Sequence, residues 1–226
     1  QYLKKEFKKE KIYLLGHSWG SFLGISTANK YSDDYYAYIG TGQIVNQLKS
    51  EQLGYNFAMR KAKENNDLET VKELEELGQL EIENKSSEEI MPWIFAQRQY
   101  LGKYGGATFK MDAAAMMMDA FKDNKELNDY DKVHFMDGSL FSLHKLFPIV
   151  LKTDLTATIQ ELKVPVYFLQ GTHDYTTSYD LAKTYFNQLV APKKVFVNFS
   201  ESGHNPPFEE AKKFNDFLIN EVLSKK

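Results

Sequence analysis

The stretch KIYLLGHSWG, residues 11–20, contains the pattern that decides the fold. Its first half is a short apolar run rich in strand-forming residues, and Gly16 ends it, as is typical of a buried parallel strand that stops at a tight turn. Residues 19–31 then carry apolar side chains at helical spacing. A second strand is expected at residues 36–39, before the Gly-Thr-Gly of residues 40–42. The order strand, helix, strand predicts an α/β fold with a mostly parallel sheet.

The strand pattern returns near the other end of the chain. Apolar runs at residues 164–169 and 195–199 predict two further strands, with a helix between them at residues 179–189. A last amphipathic helix is expected after Pro206 and Pro207. Its apolar stripe consists of Phe208, Ala211, Phe214 and Leu218.

Residues 46–150 have a different character, with long and highly charged helical patterns. Two helix starts are marked by pairs at N-capping spacing: Asn66 with Glu69, and Ser86 with Glu89. We therefore expect residues 1–45 and 151–226 to form an α/β core and residues 46–150 to form an inserted all-helical cap.

Composition and charge exclude several classes of protein. With 226 residues, of which 42% are hydrophobic and 14% aromatic, the chain is globular and not disordered. A net charge of −3 without a basic stretch argues against nucleic acid as a partner, and no apolar run approaches the roughly 18 residues of a membrane span. The absence of cysteine excludes disulfides, thiolate metal sites and a cysteine nucleophile, and it suits a reducing compartment. We expect a cytoplasmic protein.

Gly16-His17-Ser18-Trp19-Gly20 fits the pattern Gly-x-Ser-x-Gly and lies between the predicted strand and the predicted helix. Small residues near Ser18 allow a sharp, strained turn that exposes its hydroxyl beside the positive end of the helix dipole. We expect Ser18 to be a nucleophile. The alternative is a turn serine that only caps the helix.

A serine hydroxyl is a poor nucleophile and needs a histidine base that a carboxylate holds in place. Asp174 follows the strand at residues 164–169 in Gln-Gly-Thr-His-Asp, and His204 follows the strand at residues 195–199 in Ser-Glu-Ser-Gly-His. Both lie at carboxyl ends of predicted strands, which meet at one rim of a parallel sheet. We therefore expect Ser18, Asp174 and His204 to form a catalytic triad.

Other histidines and one other acid compete for these roles. His17 precedes the nucleophile and is expected to be packed and hydrogen-bonded, and His173 is expected to shape its loop. His134 and His144 fall in the expected cap, where a surface role and a substrate-pocket role both stay open. Asp180 lies inside the next helical pattern and should face solvent.

Three motifs at the two ends of the chain match one known family. Gly16–Ser21 has the form Gly-His-Ser-Trp-Gly-Ser, Gly171–Asp174 resembles an acid loop, and Ser202-Gly203-His204, followed by Pro206 and Glu209, resembles a histidine loop. In these motifs the chain resembles the proline iminopeptidase branch of the α/β-hydrolases. The resemblance implies an α/β-hydrolase fold and a serine hydrolase that releases N-terminal residues, often proline, from short peptides through an acyl-enzyme. The sequence contains no metal-ligand cluster and no phosphate-binding glycine loop, and the mechanism needs only water as a co-substrate, so we expect no cofactor and no metal.

The resemblance also places peptide specificity in the cap, where carboxylates receive the free α-amino group of the substrate. Most acids of the expected cap fit solvated helix faces: Glu73, Glu75, Glu76, Asp112 and Asp119. Trp93, Phe95, Tyr100 and Tyr104 form an aromatic group there. This group is compatible with an apolar substrate pocket and with core packing.

One departure from the family limits the expected activity. The early strands of the family fold, and the loop that gives the oxyanion hole a backbone N–H, have no counterpart before residue 11. The backbone N–H of Trp19 supplies one donor, and loss of the other costs on the order of 10²–10³ in turnover. We therefore expect a weak catalyst that belongs to a longer enzyme. We also expect the open edge of strand 11–15 to be covered by another chain or by the N-terminal part.

Two alternatives to a peptidase remain open. A carboxylesterase or lactonase that acts on small apolar acyl groups would share the elbow and the triad. A non-catalytic binding module with this fold, or an inactive fragment, is compatible with the absent oxyanion loop.

Overall fold

The computed structural model describes residues 1–112, 115, 118 and 124–224. Within these residues, one sheet holds four parallel strands that lie side by side in sequence order. They are β1 (Ile12–His17), β2 (Tyr35–Thr41), β3 (Val166–Gly171) and β4 (Lys194–Phe199). The predicted α/β fold with a parallel sheet is confirmed. Parallel pairing brings the carboxyl ends of these strands to one rim, where the candidate site lies.

Helices cover both faces of this sheet. The described α-helices are α1 (Tyr2–Glu6), α2 (Trp19–Lys30), α3 (Gln47–Glu64), α4 (Leu68–Leu77), α5 (Ser87–Lys103), α6 (Asp129–Lys152), α7 (Leu155–Thr158), α8 (Tyr179–Gln188), α9 (Pro206–Glu209) and α10 (Ala211–Phe217). Tyr38 and Phe168 are buried among residues of α2 and α8. Ile39 and Leu169, one position further along their strands, are buried with Phe214 of α10. This alternation gives helical layers on both sides of the sheet.

The regular elements described between β2 and β3 are all helices, α3 to α7. Helices α3, α5 and α6 contact one another, and Ile94 of α5 packs with Phe147 of α6 in a separate apolar core. The division into a cap at residues 46–150 and a core around it stays a prediction. Asp119, one of the candidate acids, lies outside the described residues.

One of the two predicted helix starts is confirmed and the other is wrong by one residue. Ser86 and Glu89 form a capping box at the start of α5. Helix α4 is capped by Asp67, whose carboxylate accepts from the backbone N–H of Thr70, whereas Asn66 lies before the helix with a φ of 54°. Asn and Asp both cap helices well. Asn66 adopts the left-handed conformation in the turn after α3, so the next residue, Asp67, caps α4.

The predicted single C-terminal helix is also wrong. It is broken at Glu210, whose φ of −125° and ψ of 49° separate α9 from α10, and a π-helical turn at Leu218–Leu223 follows. The predicted stripe is broken accordingly, since Phe208 is 50% exposed and Phe214 is buried. The side chains of Glu209 and Glu210 turn back to bind the loop before them, and these contacts outweigh a continuous helix.

Strand β1 pairs with β2 along one edge, and no described residue pairs with its other edge. Leu15 in this strand is 45% exposed. In the part of the chain that the structure describes, no helix has both the length and the apolar character needed to cross a bilayer.

Candidate active site

Ser18 lies in the turn between β1 and α2, with a φ of 54° and a ψ of −119°. Non-glycine residues avoid this conformation because it is strained. Such strain persists at functional sites where the surrounding structure imposes it. The N–H of Ser18 donates to the carbonyl of Thr41 across 3.0 Å. A Cβ on Gly16 would lie 2.3 Å from the carbonyl oxygen of Gly20, so the turn requires glycine at this position. The strand, turn and helix therefore have the form predicted from the sequence.

Asp174 follows β3 and is buried among hydrogen-bond donors. Its Oδ1 accepts from the backbone N–H groups of Thr176 and Thr177, both at 2.9 Å. Its Oδ2 accepts from Gln170 Nε2 at 2.9 Å and from the Thr177 hydroxyl at 2.8 Å. It also lies 2.9 Å from His204 Nδ1. Both carboxylate oxygens therefore have more than one donor, which fixes the position of the Asp174 side chain.

His204 follows β4 and is buried against the loops of the neighbouring strands. Because Oδ2 of Asp174 accepts in its other contacts, Nδ1 of His204 carries the proton of their contact and Nε2 keeps a free lone pair. The N–H of His204 donates to the carbonyl of Ala107 across 2.7 Å. Gly42, with a φ of 52°, lies so close that a Cβ there would be 2.7 Å from the Cε1 atom of the imidazole. The Ala107 carbonyl thus holds the backbone of His204, and Gly42 packs against its ring.

His17 is tied to His204 and not to the serine. Its Nε2 lies 2.9 Å from the carbonyl oxygen of His204, and the two ring centroids are 5.0 Å apart. Burial, together with the neighbouring His204, lowers the pKa of His17 to about 4. The neutral ring therefore donates its Nε2 proton to this carbonyl near neutral pH.

The other candidate residues have different partners. His173 contacts the carbonyl of Ser200 and stacks on Phe109, so it shapes its loop. Asp180 is exposed on α8. His134 and His144 lie on α6, where the ring of His144 contacts the hydroxyl of Ser87.

Glu209 holds the backbone on both sides of His204. One of its carboxylate oxygens accepts from the N–H groups of Gly203 and Asn205, both at 3.0 Å, and the other accepts from the N–H of Phe109 at 2.6 Å. One side chain therefore connects the histidine loop to the segment after α5.

The sequence signalled some of these supporting residues and missed others. The family resemblance alone indicated Glu209, and no motif predicted a role for Gln170 or Thr177. Both side chains donate a hydrogen bond to the carboxylate of Asp174. Gln170 also accepts from the N–H of Gln43 in the loop after β2. A polar residue in an otherwise apolar strand end is the signal that would have identified Gln170.

A cavity of about 230 Å³ opens beside Ser18. Thr177, whose hydroxyl oxygen is 3.2 Å from His204 Nδ1, lines the same cavity. Its apolar wall comes from the loop after β2, α5 and α6: Ile44, Met91, Ile94, Leu143 and Phe147. Gln47, Arg98 and Thr176 form its polar wall.

Behind the polar wall lies a fully buried carboxylate, Glu51. Its Oε1 accepts from Gln47 Nε2 and from the guanidinium of Arg98, with which it forms an ion pair. Burial raises the pKa of Glu51, and the charge of Arg98 opposes this shift. Gln47 and Arg98 also donate to the carbonyl of Thr176, so this ion pair holds the loop that carries Asp174.

Of the predicted aromatic group, Phe95 lines this cavity. The structure does not bring Trp93, Tyr100 and Tyr104 there. They pack around Leu74 between α3, α4 and α5. Trp93 donates to the carbonyl of Gly78, and the hydroxyls of Tyr100 and Tyr104 contact Glu73 and Asp67. The opposite face of α5 lines the cavity instead, through Met91, Ile94 and Arg98.

The acids proposed for the expected cap are likewise away from this cavity. Glu73, Glu75, Glu76 and Asp112 are exposed. Among the residues that the structure describes, no group of three or more His, Asp or Glu side chains is arranged to hold a metal ion.

Comparisons with known proteins agree with this fold. In Bacillus subtilis (strain 168), the protein named "Probable aminopeptidase YbaC" is 27% identical over 226 residues, which cover 96% of this chain and 67% of that protein. A proline iminopeptidase-related protein from Thermus thermophilus matches with a TM-score of 0.60 and 16% identity, over 98% of this chain and 67% of that one. An α/β fold family hydrolase from Bacillus anthracis str. Sterne matches with a TM-score of 0.57 and 16% identity, over 96% of this chain and 69% of that one.

The chain thus spans about two thirds of the length of these relatives. The two solved structures, at 16% identity, show the fold alone. The family model described as "Serine aminopeptidase, S33" matches residues 1–211. This chain therefore belongs to the serine aminopeptidase family S33 of the α/β-hydrolases.

Proposed function

We propose that Ser18, His204 and Asp174 are the catalytic triad of a serine hydrolase that releases N-terminal residues, including proline, from small peptides. The observation that supports this most is the arrangement around one cavity. Ser18, in its strained turn, and Thr177, which contacts both Asp174 and His204, line the same space. A base oriented by a buried carboxylate, beside a serine that a substrate can reach, is the requirement for acyl transfer.

The proposed reaction has two halves. His204 Nε2 takes the proton of Ser18 as its Oγ attacks the scissile carbonyl carbon, and Asp174 stabilises the imidazolium that forms. When the C–N bond breaks, His204 gives the proton to the leaving amine, and an acyl-enzyme remains on Ser18. Water, deprotonated by His204, then attacks this ester, and the Ser18 oxygen leaves with the proton.

Trp19 is proposed to supply one donor of the oxyanion hole. It is the first residue of α2, so its backbone N–H has no partner within the helix and lies at the positive end of the helix dipole. We also propose that residues 46–150 cover the site as a cap, since α5 and α6 line the cavity across from Ser18.

A peptidase is favoured over an esterase by the family description and by the name of the Bacillus subtilis relative. The test compares amino-acid p-nitroanilides with p-nitrophenyl esters of simple acyl groups, with Ser18→Ala as the blank. The proposal predicts anilide cleavage that depends on Ser18. Ester turnover without anilide cleavage would reject the peptidase, and would favour the esterase or lactonase.

A further inference from the structure

Helices α3 and α5 hold the loop after β3, which carries Asp174. The side chains of Gln47 on α3 and Arg98 on α5 both donate to the carbonyl oxygen of Thr176, at 2.9 Å and 3.5 Å. The bond from Gln47 is the shorter of the two and therefore the stronger. Side chains from outside the sheet thus hold this loop close to the acid.

The same loop has further contacts with α3. The N–H of Ser178 donates to Ser50 Oγ at 3.2 Å, and the ring of Tyr175 stacks on that of Phe57 with centroids 3.9 Å apart. A Cβ on Gly54 of α3 would lie 3.0 Å from the carbonyl oxygen of Tyr175, so helix and loop are in close contact. The position of the loop is thus set by α3 as well as by β3.

The carbonyl that accepts from Gln47 and Arg98 belongs to the peptide group that also donates to the acid. This group consists of the C=O of Thr176 and the N–H of Thr177, and its N–H donates to Asp174 Oδ1 at 2.9 Å. Because a peptide group is planar, the direction of its C=O fixes the direction of its N–H. Hydrogen bonds joined in this way also polarise one another. The two side chains therefore act on the carboxylate of Asp174 through a single peptide group.

Glu51 orients both donors, and with Gln47 and Arg98 it forms a polar cluster. Its Oε1 accepts from Gln47 Nε2 at 2.7 Å and from Nη2 of Arg98, the nitrogen that also contacts Thr176. Glu51 is fully buried and does not line the cavity beside Ser18, so it acts only through its neighbours. A buried ion pair adds little net stability compared with apolar residues of similar size. Positioning gives this pair a role that stability does not.

We propose that the three members of this polar cluster are positioning residues of the catalytic triad. Their donors hold the carbonyl of Thr176, and the N–H of the same peptide group holds Asp174 Oδ1. The other oxygen, Oδ2, then faces His204 Nδ1, 2.9 Å away. This inference rests on the proposed function, because the position of His204 matters for catalysis only if His204 serves Ser18 as a base.

Replacing the ion pair by apolar residues separates positioning from stability. In Glu51→Leu/Arg98→Met neither charge of the pair remains, so this double variant should unfold at a denaturant midpoint near that of wild type. We expect its kcat on amino-acid p-nitroanilides to fall about 10–100-fold, because the acid is no longer held in place. Fluorophosphonate labelling of Ser18, which needs no peptide in the cavity, should slow by a similar factor.

Two further variants and a control complete the set. Glu51→Gln, which keeps an acceptor oxygen for both donors, should retain most of the wild-type rate. Gln47→Met removes the shorter bond to Thr176 and leaves the ion pair in place. It should also slow labelling, and it covers the case in which the double variant does not fold. Lys72→Met/Glu76→Leu removes an exposed ion pair on α4 and should keep the wild-type rate.

The low-field NMR signal of the proton on His204 Nδ1 reports the contact with Asp174 without turnover. The signal is identified by its loss in His204→Gln. It should move upfield or broaden in the double variant and in Gln47→Met, because the contact with the carboxylate lengthens. In Glu51→Gln and in the α4 control it should stay in place.

The outcomes distinguish this inference from the proposed function. If wild type cleaves the anilides and both the double variant and Gln47→Met keep its rate, the positioning role is rejected and the hydrolase stands. If wild type neither turns over substrate nor takes up label, but the proton signal moves in these variants, the cluster positions Asp174 and the proposed function fails. An unchanged proton signal in both variants overturns the positioning role in either case.

Discussion

His17 Nε2 lies 2.9 Å from the carbonyl oxygen of His204, so the histidine beside the elbow serine is bound to the backbone of the second histidine. This places one neutral ring between the turn after β1 and the loop after β4. The bond requires a proton on Nε2 of His17. Burial next to another imidazole lowers the pKa of His17 to about 4, so Nδ1 carries no proton near neutral pH.

The first prediction concerns the pH dependence of stability. The pKa of His17 is lowered to about 4 from an ordinary value of 6.5, so the unfolded chain binds more protons between these values. The contribution of His17 to the free energy of unfolding is therefore fully present above pH 6.5 and is lost as the pH falls towards 4. Between pH 7 and pH 5, this effect lowers the free energy of unfolding by about 2 kcal/mol.

Urea unfolding of wild type and His17→Gln at both pH values measures this loss. The glutamine amide keeps a donor for the carbonyl of His204 and cannot titrate. Between pH 7 and pH 5, the free energy of unfolding of the variant should therefore fall by about 2 kcal/mol less than that of wild type. His134→Gln, at a half-exposed position on α6, is the matched control. An identical pH dependence in His17→Gln and wild type would contradict the assignment.

The second prediction concerns the two glycines of the elbow. A Cβ on Gly16 would meet backbone at 2.3 Å, whereas a Cβ on Gly20 would meet nothing within 4 Å. Gly16→Ala should therefore cost about 1–3 kcal/mol of unfolding free energy or more. Gly20→Ala, at a helical position, should stay within about 1 kcal/mol of wild type. Equal losses in denaturant unfolding would show that the turn is not built as described.

The third prediction concerns Glu209 as a positioning residue. Glu209→Ala leaves three backbone N–H groups without their acceptor and frees the loop around His204. We expect kcat to fall about 10–100-fold with little change in KM, since a displaced base slows the chemical step more than substrate binding. Glu209→Gln, which keeps one acceptor oxygen, should recover part of the loss.

Glu201→Gln is the control for Glu209, because the carboxylate of Glu201 is exposed and pairs with exposed Lys110. It should keep the wild-type kcat. If folded Glu209→Ala also keeps the wild-type kcat, Glu209 is a structural residue only.

The fourth prediction concerns the open edge of β1, which we propose pairs with a further strand from another chain or from preceding residues of a longer protein. A parallel strand with one unpaired edge is a template for association. This chain should therefore self-associate at micromolar concentration in sedimentation experiments, and Leu15→Lys should weaken the association. Leu23→Lys, at an exposed position on α2, is the control. A wild-type chain that stays monomeric at all concentrations would contradict self-association through the edge of β1.

Local patterns predicted the part of the site that depends on local structure. The elbow at Ser18 is set by an apolar strand, a glycine and a helix within ten residues, and parallel topology brings Asp174 to His204 once the strands are located. The capping box at Ser86 is local in the same way. Helix α4 is capped by Asp67 and not by Asn66. Two good capping residues are adjacent in the sequence, and the backbone conformation of the turn before the helix decides which of them is the cap.

The remaining features depend on contacts between distant segments. Helical periodicity divides α5 into two faces, one with Trp93 and Tyr100 and the other with Ile94 and Arg98, but it does not indicate which face meets the cavity. The break at Glu210 likewise depends on partners in the loop before α9, which no helical pattern contains.

The central proposal, that Ser18 is a nucleophile activated by His204, is tested most directly by labelling with a fluorophosphonate and locating the adduct by mass spectrometry. The proposal predicts an adduct on Ser18 in wild type, none in Ser18→Ala and a strongly slowed reaction in His204→Gln. Equal labelling of wild type and Ser18→Ala, or a folded wild-type chain that takes up no label, would contradict it.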